Sequence, residues 1–430
     1  MNAPLPLSQI AAVPAAGALP GLITQPYLLV LFGPPFFVDA TGRRWLDALW
    51  AKDLIQHTRY IEQLTLAAPA VRGLPPHNAV AVDEVESLRN VRCVELPAPR
   101  NILWAFWYLP RTCAALWRAL GSAKLVHAGV AGWPLAEAWI LMPLMALRPR
   151  LVYINVESAF WRLVPGQKAP LLRRMRATVS EWLNRLAVEA SDISTFTHQG
   201  YLRTLLRHRP ERGHVVEASW IDDSDVLGDS QMQRVIDRRR GHAGPLTLVF
   251  AGRLTHEKGV LVLLDAVSAA LQEGVDVSLD IFGEGPLVGE CRERIMALGG
   301  DAPIRLRGTM PYNRSFFETI GSYDMLVVPS VSDEQPRIVF DAYAQGLPVL
   351  ASRTDGLLQC VHDGATGVLV PPQDVPALQA CIARIAREPA LLAEMSAACV
   401  ARARGLTHQE MHRKRWRLLV EKFPVLTRPA

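Results

Sequence analysis

In the second half of the chain, short apolar runs recur at regular intervals, each closed by glycine, proline or a polar loop. Leu246–Ala251, Val277–Phe282, Ile304–Arg307, Met325–Val328, Pro348–Ala351 and Val368–Val370 are six such runs. Amphipathic stretches separate them, including one from near Val260, one opening near Pro336, and the segments Pro376–Ala386 and Leu391–Arg404. Apolar runs of this length alternating with helical periodicity predict a parallel sheet covered by helices on both faces. In such a sheet, ligands lie at the carboxyl ends of the strands.

The first half reads the same way with less contrast. Tyr27–Phe32, Leu64–Ala68, Val91–Leu96, Ile102–Phe106, Lys124–His127 and Leu151–Val156 are predicted strands, with a strand edge at Ser191–Thr197. Helices are expected over Arg44–Tyr60, Thr112–Leu120, Leu135–Leu147 and residues 171–186. The fold class is therefore α/β, with two doubly wound parallel-sheet domains. A chain of 430 residues exceeds one ordinary core and fits this division. The expected boundaries are a disordered, Ala- and Pro-rich tail over 1–22, an N-terminal domain over 23–240, a C-terminal domain over 241–407, and a final segment over 408–430. Residues 229–245 read as the interdomain linker, and a helix at Gln409–Lys422 could cross back onto the first domain.

Composition narrows the setting. Six scattered cysteines without CxxC spacing point to reduced thiols, a cytoplasmic location and no zinc framework. The apolar run Val130–Leu147 is broken by Pro134, Glu137 and Pro143, so it reads as a buried helix and not a bilayer span. Charge is uneven: residues 1–240 carry 27 Lys+Arg against 20 Asp+Glu, and residues 241–430 carry 19 against 21. A basic front half suits an anionic partner or is simply a solvated surface. It holds no nucleic-acid-binding motif, so no nucleic-acid partner is expected.

Two features leave an anionic lipid surface open as a partner. Trp104, Trp107, Tyr108, Trp117, Trp133, Trp139 and Trp161 crowd one region, as core, as part of a sugar site or as an interface belt. In residues 171–186, Leu172, Met175, Val179, Trp182 and Leu183 form an apolar stripe with Arg173, Arg174, Arg176 and Arg185 largely off it. That pattern fits a helix packed on the sheet or one resting on anionic lipid.

Candidate chemistry concentrates in the back half. Arg253 and Lys258 lie on a strand-to-helix loop that also carries Gly252 and Gly259. Two cations beside a helix N-terminus suit a diphosphate. Asp333 and Asp341 stand eight positions apart across the loop and helix that follow Met325–Val328. Gly283 opens the turn Gly283–Pro286, and Gly308 closes the strand at Ile304–Arg307. In the front half, Gly42 with Arg43 and Arg44 is either a phosphate turn before a helix or a plain turn. The triplet Asp223-Ser224-Asp225 lies in a polar connector, and no metal is expected there.

The motifs AGRLTHEKG, FGEGP, RLRGTM, YDMLVVPS, SDEQPRIVFDAYAQGLPVLAS and TDGLLQCVHDGATGVLVPPQD follow in order over about residues 246–374. With them the chain resembles the family-4 retaining glycosyltransferases, whose GT-B fold sets two Rossmann-like domains face to face. The resemblance implies a nucleotide diphosphate sugar as donor, a glycan or lipid-linked acceptor, no cofactor and no catalytic metal. It implies that Arg253 and Lys258 hold the diphosphate, with Gly252 and Gly283 beside it. The family's paired glutamates fall on Asp333, toward the donor sugar, and on Asp341, toward the ribose. Glu334, Pro336 and Arg337 flank them, and Gly308 and Thr309 border the base. For the front domain the resemblance implies acceptor-side chemistry from Glu157 or His127, with Gly42 standing in for an absent glycine pair. A non-catalytic nucleotide-sugar-binding protein of the same fold is the alternative, and a nucleotide-sugar epimerase a further one.

Overall fold

The computed structural model describes residues 21–132, 134–164, 169–241, 244–299 and 302–427. The tail expected over 1–22 falls outside them except for Gly21 and Leu22, and Trp133 also lies outside. Gly21 is already anchored, because its carbonyl accepts from the Trp416 indole at 2.9 Å. The chain forms two compact units. Among the described residues, one gathers residues 21–163, 169–216 and 411–427, and the other contains Glu217–Glu410.

The N-terminal unit runs β1 (Tyr27–Val30), β2 (Phe36–Val38), β3 (Arg44–Asp47), α1 (Ala48–Thr58), β4 (Leu64–Arg72), β5 (Ala79–Ala81) and β6 (Arg92–Leu96). It continues with α2 (Ile102–Leu120), β7 (Leu125–Gly129), α3 (Glu137–Leu147), β8 (Leu151–Val156), α4 (Leu171–Ala190), β9 (Ile193–Phe196), α5 (Gln199–Leu205) and β10 (Gly213–Val215). The sheet order is β10-β9-β8-β7-β1-β4-β2-β3-β5, with β6 also on β4. Its main body is parallel, with registers such as Leu29↔His127 and His127↔Tyr153. Among the described residues, β3 alone runs antiparallel, to β2 and β5. Apolar clusters cover both faces, one around Leu29, Leu66 and Tyr153 and the other around Val30, Val126 and Ile154.

Three expectations change here. Ile102–Phe106 opens helix α2 instead of forming a strand, because Asn101 caps it by accepting from the Trp104 N–H at 3.1 Å. The helix expected from Arg44 starts only at Ala48, after the strand Arg44–Asp47, with Asp47 accepting from the Leu49 N–H. Gly42 consequently sits in the β2–β3 hairpin turn, at φ +83°, where its N–H donates to the Asp39 carbonyl. It is not at a helix N-terminus. Its cationic neighbours are already paired, Arg43 with Asp83 and Glu84, and Arg44 with Glu95.

The C-terminal unit contains α6 (Asp229–Arg240), β11 (Leu246–Ala251), α7 (Val260–Gln272), β12 (Val277–Phe282), α8 (Val288–Ala297), β13 (Ile304–Gly308) and α9 (Arg314–Gly321). It then runs β14 (Met325–Val328), α10 (Ile338–Ala344), β15 (Val349–Ser352), α11 (Asp355–Cys360), β16 (Gly367–Val370), α12 (Val375–Arg387) and α13 (Ala390–Ala403). Its six strands are all parallel, in the order β13-β12-β11-β14-β15-β16. The order reverses between β11 and β14, which is where a doubly wound sheet opens a crevice at its carboxyl edge.

The residues expected to be a linker are in part helix α6, which belongs to this unit. Arg239 on α6 is buried, with its guanidinium donating to the Gly346 carbonyl, the Ser396 hydroxyl and the Tyr323 carbonyl. The division between units therefore falls after Val216 and not near residue 240. The last helix, α14 (His408–Lys422), starts in the C-terminal unit, and from Met411 its residues group with the N-terminal one.

Candidate functional site

The C-terminal unit brings the predicted residues of β11 and β14 together at its switch point. After β11 the chain makes a loop, a 3-10 turn at His256–Lys258 and then Gly259, which leads into α7. Leu254 is buried and anchors this loop, its N–H donating to the Glu284 carbonyl at 2.8 Å. The Val331 N–H donates to the Glu257 carbonyl at 2.9 Å and ties the loop to the one after β14. Gly259 adopts φ +71°, and a Cβ there would overlap the Pro329 carbonyl oxygen. Glycine is thus required twice over, by conformation and by approach.

That approach sets the chemistry. The Lys258 ammonium donates to Glu334 Oε2 at 3.0 Å, with side chains 18% and 26% exposed. Arg253 lies on the same loop with its side chain 70% exposed, 4.0 Å from Glu257. Gly252 and Thr309 are exposed nearby in the chain path of β11 and β13. The carboxyl ends of the strands are stitched in series: the Gly252 N–H donates to the Phe282 carbonyl and the Gly283 N–H to the Gly308 carbonyl. Gly283 has φ +136°, and a Cβ there would overlap the Gly252 carbonyl.

The two aspartates part company. Asp333 is exposed on the loop, and its neighbour Glu334 is the carboxylate that meets Lys258. Asp341 lies in the first turn of α10, buried, and its Oδ1 accepts from the Tyr312 hydroxyl at 2.8 Å. Burial first, and then the Asp341 charge, push the Tyr312 phenol well above its ordinary range, so it remains a donor. Pro336 is buried, and the Arg337 guanidinium sits 5.0 Å over the Trp220 ring. Gln335 accepts from the Ala218 N–H at 2.8 Å, so the loop is fastened to residues 217–222 of the same unit.

Sequence reasoning missed Tyr312 and Gln335, whose partners lie far along the chain. It also missed three hydroxyls. Thr255 Oγ1, Ser332 Oγ and Thr354 Oγ1 are buried on the loops after β11, β14 and β15 without a protein hydrogen-bond partner. Such groups are costly to bury unless something completes them. Two cations, carboxylates and these hydroxyls at one sheet edge can hold a polyhydroxylated anion.

In the N-terminal unit, His127 is not at a strand end. It sits in the middle of β7, buried, with Nδ1 2.9 Å from the Tyr27 hydroxyl and its ring stacked on Tyr153 at 4.2 Å. Burial, followed by the neighbouring His57 charge, holds its pKa well below the ordinary value. Glu157 follows β8, and its Oε1 accepts from Asn155 at 2.9 Å and from the buried Arg415 at 3.1 Å. The structure thus places His127 inside a buried polar network and the half-buried Glu157 at its edge, through Arg415. Asp53, His57 and His412 belong to the same network, with ligand-type atoms all within 4.8 Å of one another. His412 Nε2 lies 3.0 Å from Asp53, and its Nδ1 lies 3.2 Å from the Tyr60 hydroxyl. These three are the group among the described residues with metal-ligand convergence, and sequence separation of up to 359 positions hid it.

A cavity of about 230 Å³ opens at the carboxyl ends of β1, β4 and β6 and beneath α2. Phe32, Pro69, Leu96, Tyr108 and Ile140 line it, so its walls are largely apolar. Behind Phe32, Glu137 Oε1 accepts the Phe32 N–H at 2.8 Å, and burial pushes its carboxyl pKa up.

Residues 245–388 match the family described as "Glycosyl transferases group 1". The chain is 23% identical over 304 residues to an alpha-D-kanosaminyltransferase of Streptomyces kanamyceticus, covering 70% of this chain and 76% of that protein. It is 25% identical to a 2-deoxystreptamine glucosyltransferase of the same organism, covering 61% and 77%. Among solved structures, Anabaena Alr3699/HepE in complex with UDP matches with a TM-score of 0.65 at 14% identity, over 92% of this chain and 100% of that one. The same protein in complex with UDP-glucose matches at 0.62.

Proposed function

From a chain that carries a group 1 glycosyltransferase domain on a GT-B fold, we propose an enzyme that moves a sugar from a nucleotide diphosphate sugar to an acceptor hydroxyl with retention at the anomeric carbon. The observation that carries this reading is the Lys258–Glu334 pair at the switch point of the C-terminal sheet, with the exposed Arg253 on the same loop. In the step proposed, the acceptor oxygen bonds to the anomeric carbon on the face that the diphosphate leaves, as the bond from that carbon to the diphosphate oxygen breaks and the acceptor hydroxyl proton passes to the departing diphosphate oxygen. The electron pair leaves on the diphosphate, where Arg253, Lys258 and the N-terminus of α7 stabilise it in place of a metal ion. A preorganised contact of this kind contributes about 3–4 kcal/mol. Lys258 must exchange Glu334 for the diphosphate, which releases the Glu334 carboxylate toward the sugar hydroxyls beside Asp333. Asp341, steadied by Tyr312, takes the ribose side, and Gly308 and Thr309 the base.

On the acceptor side, the apolar cavity of the N-terminal unit supports a substrate with an apolar part, such as a lipid-linked glycan in polysaccharide or glycolipid assembly. Among the described residues no helix is long and apolar enough to cross a membrane. A cytoplasmic enzyme peripheral at the inner membrane face fits that acceptor. The test is turnover with a panel of nucleotide sugars, with product stereochemistry read by NMR and with chelator added. One donor consumed with retention, unaffected by chelator, is expected; inversion or metal dependence would refute the mechanism. A non-catalytic nucleotide-sugar-binding protein is the second reading, favoured by the occupation of Asp341 by Tyr312. Binding of a donor without its consumption would select it.

A further inference from the structure

Helix α4 is packed the opposite way from an ordinary surface helix. Leu171, Leu172, Met175, Val179, Trp182 and Leu186 are all exposed, Leu172 at 79% and Trp182 at 58%. At about 100° per residue these six fall within roughly 100° of arc. The residues that α4 buries are Ser180, Asn184, Ala187 and Val188. Polar contacts hold that inner face: Asn184 accepts from the Trp139 indole at 2.6 Å, and Glu181 receives Trp161 and Arg162. A helix solvated on its outer side would place the large apolar residues inward.

Helix α2 repeats the arrangement. It buries Ala105, Thr112, Leu116, Ala119 and Leu120, and exposes Leu103 at 76%, Phe106 at 58% and Trp107 at 73%. Helix α3 packs against both α2 and α4, so the two exposed faces flank it on one side of the unit. Leu147, at the end of α3, is 77% exposed. The exposed charge on these helices has one sign. Arg111 and Arg118 on α2 and Arg173, Arg174 and Arg176 on α4 are exposed, while α2 carries no carboxylate and neither do the first ten residues of α4. Glu137 is buried, and Glu181 is occupied by Arg162.

We propose that the α2–α4 face is a docking surface for an anionic phospholipid bilayer, on which both helices lie in the plane of the headgroups. Exposed leucines and tryptophans enter the acyl boundary, and the arginines flanking the stripe meet lipid phosphates. A second copy of the chain is the poorer occupant, because an isologous contact would stack arginine on arginine. The inference rests on the peripheral location proposed above, and it is tested without donor or turnover, so its failure leaves the transferase reading standing.

The experiment is flotation of the full chain with phosphatidylcholine vesicles, with and without phosphatidylglycerol, at low and high salt. Salt-sensitive flotation with anionic vesicles and a blue shift of tryptophan emission are expected. Leu172→Ser/Met175→Ser/Trp182→Ser and, separately, Arg173→Ser/Arg174→Ser/Arg176→Ser should each reduce binding at least tenfold. Because these side chains are exposed, the circular dichroism and melting temperature should remain those of the parent. Absence of flotation with anionic vesicles would overturn the proposal, as would parental flotation of the apolar triple variant. A concentration-dependent dimer that these substitutions abolish, without vesicle binding, would overturn it in favour of self-association.

Discussion

Replacing Lys258 with Met separates what this side chain does for the fold from what it does for chemistry. In the structure its ammonium is bonded to Glu334 at 3.0 Å, with the two side chains 18% and 26% exposed. Methionine preserves the stem and strands the Glu334 carboxylate, which water still reaches. After discounting for that screening, the stability cost is about 1 kcal/mol. Losing a fixed cation at the departing diphosphate costs more, about 3 kcal/mol, or roughly a hundredfold in turnover. Adding Glu334→Gln removes the stranded charge and should restore the denaturation midpoint without restoring turnover. The assays are urea unfolding and the initial rate of nucleoside diphosphate release. A Lys258→Met variant within threefold of the parent rate would refute the reasoning, as would recovery of the rate in the double variant.

Gly259→Ala forces a left-handed conformation on a residue whose Cβ meets the Pro329 carbonyl, so a loss of at least about 2 kcal/mol is expected in urea unfolding. Gly364→Ala is its control, with φ +77° and open space, and should cost only about 1 kcal/mol; equal losses would contradict the close approach. Tyr312→Phe removes the buried hydrogen bond to Asp341 and should cost about 1.5–3 kcal/mol, so an unchanged midpoint would argue against that bond. His127 is held neutral by burial, so the unfolded chain takes up a proton that the fold does not as pH falls below about 6.5. Stability is therefore lost on acidification through that value, and His127→Gln should flatten the slope of melting temperature between pH 7 and 5. The same slope in both proteins would refute the assignment.

The C-terminal unit was legible because its strands are apolar runs ended by loops rich in glycine and charge, whereas their order came only from the structure. Arg253, Lys258 and the Asp333–Glu334 pair could be placed at strand ends for that reason. Which carboxylate meets Lys258 was not legible, because adjacent loop residues point in different directions and only the backbone path chooses Glu334. Tyr312 and Asp341 stand 29 positions apart and share no local pattern. In the N-terminal unit, Ile102–Phe106 was ambiguous because a short apolar run suits strand and helix equally, and the Asn101 cap decides it. Periodicity found the stripe of α4 but not its direction, since an apolar face is the same pattern whether it is packed or presented. The His127 network was hidden because its partners come from strands and helices at both ends of the chain.

The central claim is that a nucleoside diphosphate is held by Arg253 and Lys258 at the carboxyl edge of the C-terminal sheet. Calorimetric titration of the purified chain with UDP, ADP, GDP and CDP tests it most directly, because neither acceptor nor turnover enters. One of these should bind with a stoichiometry of about one, and Arg253→Ala and Lys258→Met should each weaken it at least tenfold while the fold persists. No binding by any of the four, or parental affinity in both variants, would contradict the account.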